Sequence, residues 1–565
     1  MNILGINSFF EHPSVALISN DTLVFAIEEE RLTGIKHGKR YTPYKSYVPF
    51  DSIFAALRFQ GLTIADIDEI AYSYNSITHL FSIYGCLTGQ RLSSLQEELA
   101  AFNSCRNIKA TLQSDFEIPL KYQKILSPQK LKHIPYREWD HHLCHAASTF
   151  FSSGFDDALV VVADGSGEHD STSVFVGKGK ELKRIANFPI PHSLGLFYSL
   201  VTKHLGFEPF ADEFKVMALA SYGQPRFKDA MDTIMHLDNQ KCYRVDIKAL
   251  TNLVPLLGPA RIPDTPLTDI HFDIASSAQK HLEMALESVI RHYASITKLR
   301  RLCLAGGTFL NCVANGVIAS RGWFDDIFVH PASHDAGTAI GAAILSSISR
   351  GGVNRLKYNS MALGTSYTDE QVESILKHGN IHYRRFNTPD LVQYLAKVLA
   401  EGKICGLFRD RMEFGPRALG KRSLLASPSD KTMLKRINDL KGREQFRPLA
   451  PIVTEEAFPA FFDGWQNRYM LFTTQVRNEA KERIPAVTHV DGSSRVQVVK
   501  ANDDKFLHDL LNCFAEHTGI PVLINTSLNI RGKPIVEDPT DALSLFYSSG
   551  LDVIAIGNFL IERVQ

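Results

Sequence analysis

At 565 residues the chain exceeds what one hydrophobic core supports, so two or more domains are expected. The 61 Lys plus Arg are balanced by 61 Asp plus Glu, and no global charge steers the protein toward nucleic acid or an anionic membrane. The 8 cysteines are scattered without a Cys-x-x-Cys pair, which argues against a disulfide framework or a structural zinc. The N-terminus lacks the basic and apolar regions of a signal peptide, and no apolar run reaches membrane-spanning length. A cytoplasmic protein is expected.

The predicted elements begin with a strand at Asn2–Ile6, followed after a polar turn by strands at Val15–Ile18 and Leu23–Ile27. The segment from about 85 to 130 reads as a mainly helical insertion. An apolar run at Ala158–Ala163 ends in Asp164-Gly165-Ser166-Gly167, as a buried strand does when it delivers a polar loop. A helix is expected over Ile274–Tyr293, strands at Leu302–Ala305 and Ile327–Val329, and a helix over Thr338–Ser347. Repeated strand–loop–helix units predict an α/β fold over 1–355, one domain or a tandem of two, and its glycine-rich loops after apolar strands suit an actin/sugar-kinase-like (ASKHA) nucleotide cleft. The glycines at Gly351-Gly352 and the polar stretch after them mark a linker. Strands at Lys403–Phe408 and Ile520–Ile524 belong to a smaller α/β domain over 365–565.

His141 and His145 are four residues apart, so on a helix they share one face and can bind one ion. An isolated His-x-x-x-His is usually a helix start with packing histidines. Here Asp164 and Asp335, each flanked by glycine in a loop, shift the balance toward a metal site. His142 and His334 read as supporting residues. Gly165 with Ser166, Gly306 with Gly307, and the Gly337–Gly341 turn are places where backbone can approach a phosphate. Asn311 either contacts the nucleotide or caps a helix.

In the second half, Arg409 to Ser423 gathers cations around a Gly-Pro turn, with Arg417 among them. Further cations and amides fall on turns at Lys441, Arg443, Arg447, Arg495, Ser527 and Asn529. A charge run is usually a solvated face. The interleaved Phe414, Ala418 and Leu419 instead suit a partly buried anion site, where arginine's fork matches phosphate.

With Glu28-Glu29-Glu30-Arg31, His141–Ser148, Asp212–Ala220, Met412–Gly420 and Asn525–Asn529, the chain resembles the O-carbamoyltransferases of natural-product biosynthesis. This is the nodulation- and cephamycin-type family, which includes the tobramycin-pathway type. The resemblance spans nearly the whole chain and is weakest around 80–130. It implies an N-terminal domain like the threonylcarbamoyl transferase of tRNA and a C-terminal YrdC-like domain like its adenylate-forming partner. It further implies that Lys441, Arg443, Ser527 and Asn529 bind ATP, with its Mg, and carbamoyl phosphate to make carbamoyl-adenylate. Arg417, Arg447 and Arg495 are additional phosphate partners. His141, His145, Asp164 and Asp335 would then hold a divalent metal, iron first and manganese or zinc as alternatives. His12 would be the base for the acceptor hydroxyl of a small molecule, with Lys36 and His37 beside the acceptor.

Two departures from the family pattern stand out: Pro13 follows His12, and Phe214 replaces the glycine of Asp-Glu-Gly-Lys. Tyr41, Tyr44, Tyr47 and Phe50 either stack on the acceptor or pack the core. A tRNA-modifying enzyme would use the same domains but needs a basic face. A non-catalytic actin-like scaffold would keep the glycine loops without explaining the metal quartet or the cationic pocket. A metallopeptidase lacks the Glu of His-Glu-x-x-His.

Overall fold

The computed structural model describes residues 1–8, 11–38, 48–75, 134–238, 242–352 and 360–563. The expected helical insertion at 85–130, Tyr41, Tyr44 and Tyr47, and part of the expected linker fall outside the described residues. Phe50 opens the helix Phe50–Gln60 and packs against the first sheet's core.

The first sheet contains β1 (Asn2–Asn7), β2 (Ser14–Ser19), β3 (Thr22–Glu28), β4 (Glu69–Tyr72) and β5 (Tyr136–Glu138), in the order β3-β2-β1-β4-β5. The first three strands form an antiparallel meander, while β4 and β5 run parallel to β1. Helix α1 (His141–Ser153) follows β5. The second sheet contains β6 (Asp157–Ala163), β7 (Asp170–Lys178), β8 (Glu181–Pro189), β9 (Arg301–Ala305) and β10 (Asp326–Val329). Its order is β10-β9-β6-β7-β8, again with an antiparallel meander and two parallel additions. The long helix α2 (Asp269–Thr297) comes between β8 and β9, and α3 (Ala336–Ser349) follows β10. The two sheets therefore repeat one topology, each ending in a helix after its fifth strand. That duplication makes the N-terminal part a tandem of two similar α/β units.

Helices α1 and α3 lie between the sheets, in a core that includes Ile3, Phe150, Val160, Val162, Ile340 and Ile344. The Ala- and Gly-rich sequence of α3 explains its close fit. A Cβ on Gly341 would stand 1.9 Å from the Cys144 carbonyl oxygen of α1, and one on Gly5 would stand 2.0 Å from the Ala339 oxygen. The Asp140 side chain caps α1 by accepting the Leu143 N–H at 2.7 Å, and Gly154 ends the helix in the left-handed region.

The C-terminal part is built on an eight-stranded mixed sheet. Its strands are β11 (Arg384–Arg385), β12 (Cys405–Phe408), β13 (Arg422–Ala426), β14 (Ala450–Thr454), β15 (Gln497–Val499), β16 (Val522–Ser527), β17 (Val553–Ile556) and β18 (Phe559–Glu562). Amphipathic helices Thr388–Ala400 and Lys505–Thr518 cover one face through Leu395, Leu399, Leu510 and Phe514. Met433, Ile437, Ala542 and Phe546 cover the other. The two parts meet at polar contacts: Gly415 N–H donates to Glu28 Oε1 at 2.9 Å, and Asn315 Nδ2 donates to the Leu471 carbonyl at 2.8 Å. Among the described residues, no helix is long and apolar enough to cross a membrane.

Candidate active site: a histidine–aspartate cluster and an anion pocket on one cavity

Helix α1 presents His141 and His145 one turn apart, both buried. The His141 Nδ1 faces the Ser73 carbonyl at 3.1 Å, which directs Nε2 toward Asp164 Oδ2 at 3.4 Å and Asp335 Oδ1 at 3.6 Å. His145 Nε2 lies 3.2 Å and 3.6 Å from the same two oxygens. Strand β6 delivers Asp164 at its carboxyl end, and Asp335 sits at the N-cap of α3. The four ligand atoms all lie within 4.8 Å of one another. The buried His145 Nε2 has no partner of hydrogen-bond geometry among the described residues. Two buried carboxylates facing each other need a cation, and two imidazoles with two carboxylates form a donor set suited to iron, manganese or zinc. The residues fit a divalent metal.

The buried carboxylates also draw positive charge to the cluster. Burial opposes a charged His141, yet Asp164 and Asp335 outweigh it and raise the imidazole well above its usual value. Burial likewise acts to raise Asp164, but the two imidazoles hold it well below the usual carboxylate range. Asp335 is held down by the same imidazoles, against burial and its neighbour Asp164.

The anion pocket lies on the C-terminal sheet. Lys441, just past the helix Thr432–Leu440, donates to Asn529 Oδ1 at 2.7 Å, to the Asn529 carbonyl at 2.9 Å and to Ser527 Oγ at 3.3 Å. Ser527 Oγ donates in turn to Asn529 Oδ1 at 2.7 Å. Arg443 Nε donates to Asn438 Oδ1, while its Nη2 is buried and unpaired among the described residues. Arg417 Nε and Arg495 Nε are buried and unpaired in the same sense. Burial, then Arg495, pushes Arg417 down to about 9; burial, then Arg447 and Arg495, does the same to Arg443. Burial, then Arg443 and Arg447, lowers Lys441 well below its usual value. A cluster of mutually repelling cations with unused donors suits a polyanion.

Asp164 and Asp335 of the cluster line one cavity of about 2540 Å³ together with His12, and Lys441 and Arg443 of the anion pocket line the same cavity. Residues 2–344 match the family described as "Carbamoyltransferase N-terminus", and 396–563 match "Carbamoyltransferase C-terminus". The chain belongs to the carbamoyltransferase family. Nodulation protein NolNO of Sinorhizobium fredii is 36% identical, covering 100% of this chain and 80% of the relative. Nodulation protein U of Bradyrhizobium diazoefficiens is 35% identical over 96% of this chain and 94% of its own length. A solved structure of full-length HypF in the phosphate- and nucleotide-bound form is similar at 12% identity and a TM-score of 0.34, covering 63% of this chain and 56% of that one. The last likeness is too low to carry weight. The chain is thus a carbamoyl-transferring enzyme.

The remaining expected site residues of this carbamoyltransferase, Gly306 excepted, line the same cavity. His12 has a left-handed backbone (φ 52) and its ring lies 4.4 Å from that of His334 and 5.0 Å from that of His37. Burial, then His334, holds the His12 imidazole well below its usual value, so it is neutral and can accept a proton. Lys36 and His37 line the cavity beside it. Gly165 and Ser166 line it too, but the Gly307 N–H is already committed to Asp164 Oδ1 at 3.1 Å. Gly306 (φ 96) serves close packing, since a Cβ there would lie 2.2 Å from the Ala163 oxygen. Asn311 caps the helix Cys312–Ser320 through the Ala314 N–H at 3.0 Å, and its Nδ2 donates to Gln279 at 2.8 Å.

His142 contacts Ser173 Oγ at 2.8 Å, a structural place. His334 has both ring nitrogens buried without a hydrogen-bond partner among the described residues, with Nε2 3.8 Å from Glu28 Oε1, at the back of His12. Sequence reading missed Glu168, whose only signal is its place at the end of Asp164-Gly165-Ser166-Gly167-Glu168. It also missed the clamp across the cavity, where Lys215 Nζ bridges Asp212 at 2.9 Å and Glu444 at 3.0 Å while Arg447 stacks on Phe214 at 4.5 Å.

Proposed function

We propose that this enzyme is an ATP-dependent O-carbamoyltransferase in which residues 365–565 activate the carbamoyl group and residues 1–355 transfer it. In the anion pocket, Lys441, Arg443, Ser527 and Asn529, with Arg417, Arg447 and Arg495, bind carbamoyl phosphate and the phosphates of ATP. They gather the charge of both so that water attacks the phosphorus of carbamoyl phosphate, releasing phosphate and leaving carbamate, and a carbamate oxygen then attacks the α-phosphorus of ATP, forming carbamoyl-adenylate as pyrophosphate leaves. Carbamoyl-adenylate then crosses the shared cavity. A divalent ion held by His141, His145, Asp164 and Asp335, iron being the first choice, would supply Lewis-acid polarisation of the carbamoyl carbonyl.

Neutral His12 takes the proton of the acceptor hydroxyl as its oxygen attacks the carbamoyl carbon. The C–O bond to the phosphate of AMP breaks, and AMP leaves. Gly165 and Ser166 position the adenylate, and Lys36 and His37 face the acceptor, a small natural product with a free hydroxyl. The observation that carries this reading is the single cavity joining an unsaturated cation pocket to the histidine–aspartate cluster.

The test is pyrophosphate release from the purified enzyme given ATP and Mg, with and without carbamoyl phosphate, in wild type and Arg443→Ala. Release that requires carbamoyl phosphate and is lost in the variant supports the reading. Release indifferent to carbamoyl phosphate in folded protein sinks it.

A further inference from the structure

We propose that Glu168 is the positioning residue of the histidine–aspartate cluster: its carboxylate fixes helix α1 relative to the loop that carries Asp164. This rests on reading His141, His145, Asp164 and Asp335 as metal ligands. Glu168 is buried four positions after Asp164, in the same glycine-rich loop. Its Oε1 accepts the backbone N–H of His141 at 2.9 Å and that of Asn75 at 2.7 Å, and Oε2 also lies 3.1 Å from the His141 nitrogen.

The first N–H groups of a helix have no partner within the helix. At α1 they are taken by two carboxylates of different origin. Asp140 comes from the helix's own N-cap and takes the Leu143 N–H, whereas Glu168 comes from the Asp164 loop and takes that of His141. Two residues before Asn75, the Ser73 carbonyl faces His141 Nδ1. His141 is therefore held at its backbone by Glu168 and at its ring by Ser73, and Glu168 ties both holding points to the loop of Asp164.

The distance from His141 Nε2 to Asp164 Oδ2 is set by this triangle rather than by packing alone. A buried carboxyl group is costly unless it is hydrogen-bonded, and an apolar side chain would fill the space more cheaply. What the carboxylate adds is a geometric link between two ligand-bearing elements. Partners that orient metal ligands in this way control affinity, typically by about 10–100-fold.

The experiment compares wild type, Glu168→Ala, Glu168→Gln and His145→Ala, each purified as the full chain after the same metal loading. Metal content is measured by mass spectrometry, and the rate of metal loss to excess chelator is followed in each. Wild type holds metal and His145→Ala does not. Glu168→Ala should release metal about 10–100-fold faster than wild type, and its carbamoyl transfer should need more added Mn(II) to reach its maximum. Glu168→Gln keeps an oxygen for both N–H groups and should stay close to wild type.

A packing role alone would lower the unfolding temperature of Glu168→Ala and leave the release rate unchanged; that result overturns the proposal. If Glu168→Ala does not fold, Glu168→Asp, one methylene short of both N–H groups, takes its place, and a wild-type release rate there overturns the proposal equally. Metal retained in full by His145→Ala would overturn the ligand reading itself, and this inference with it.

Discussion

Lys441 illustrates how strongly single groups are tuned in this cavity. Its ammonium is buried, held by Asn529, and faces Arg443 and Arg447, so burial and these charges lower its pKa well below the usual value. An anion beside it favours the ammonium and opposes both effects. Binding of carbamoyl phosphate should therefore take up a proton, and affinity should weaken as pH rises through the lowered value of free Lys441. Calorimetric titration in buffers of different ionisation enthalpy reads this directly. The binding heat should vary with buffer in wild type and lose that dependence in Lys441→Met. A wild-type heat independent of buffer contradicts the account.

A second residue gives a stability prediction with a definite sign. Glu29 is buried, accepts the Ser52 N–H at 2.8 Å and the Ser52 hydroxyl at 2.6 Å, and is raised by burial from 4.5 to about 7. The native state then binds more protons than the unfolded state between those values, so stability falls as pH rises from 4.5 to about 7 and is level above. The full loss is on the order of 3 kcal/mol. The Tm of Glu29→Gln relative to wild type should accordingly be higher at pH 8 than at pH 5.

At the scale of elements, the site depends on how closely α3 approaches α1. Gly341 makes that approach possible, since its Cβ would collide with the Cys144 carbonyl at 1.9 Å. Gly341→Ala must push the helices apart, at a cost of about 1–3 kcal/mol. The same displacement moves Asp335, at the N-cap of α3, away from His145 on α1. Thermal unfolding and metal content should fall together in this variant, whereas a small residue exchanged elsewhere on α3, such as Ser349→Ala, should change neither. Full metal occupancy in a destabilised Gly341→Ala would show that the two helices do not jointly set the ligand geometry.

Elements of this kind were largely legible beforehand because their signals are local. The apolar run before Asp164, the four-residue spacing of His141 and His145, and the Ala/Gly helix after Asp335 are all visible in short windows. Glycine roles were not. Gly306 and Gly307 have the look of a phosphate cradle, but whether a glycine N–H faces a ligand or a neighbouring carboxylate such as Asp164 is decided by distant chain segments. Glu168 was invisible for the same reason: its partners Asn75 and His141 are 93 and 27 residues away.

At the scale of the whole molecule, a shared cavity works only if its two walls keep their relation. The seam is centred on Arg31, a buried guanidinium from the N-terminal part that donates to Glu28 Oε2 at 3.1 Å and to the Gly415 carbonyl at 2.9 Å. Glu28 Oε1 accepts the Gly415 N–H, which closes a ring of contacts across the boundary. Arg411 reaches the other way, to the Val24 carbonyl at 2.8 Å, and Thr473 N–H donates to the Cys312 carbonyl at 3.0 Å. Contacts distributed along both parts couple their unfolding, so calorimetry of wild type should show one cooperative transition.

Arg31→Met removes the partner of a buried carboxylate, and breaking such a pair costs about 3–5 kcal/mol. The coupling should weaken in proportion, so that the endotherm broadens or divides and carbamoyl transfer falls further than carbamoyl-phosphate-dependent pyrophosphate release, which on the proposed mechanism needs only one wall. Two independent transitions already present in wild type, with Arg31→Met shifting only one of them, would mean that the parts are neighbours rather than a single folding unit. The cavity would then have to be held together by its ligands.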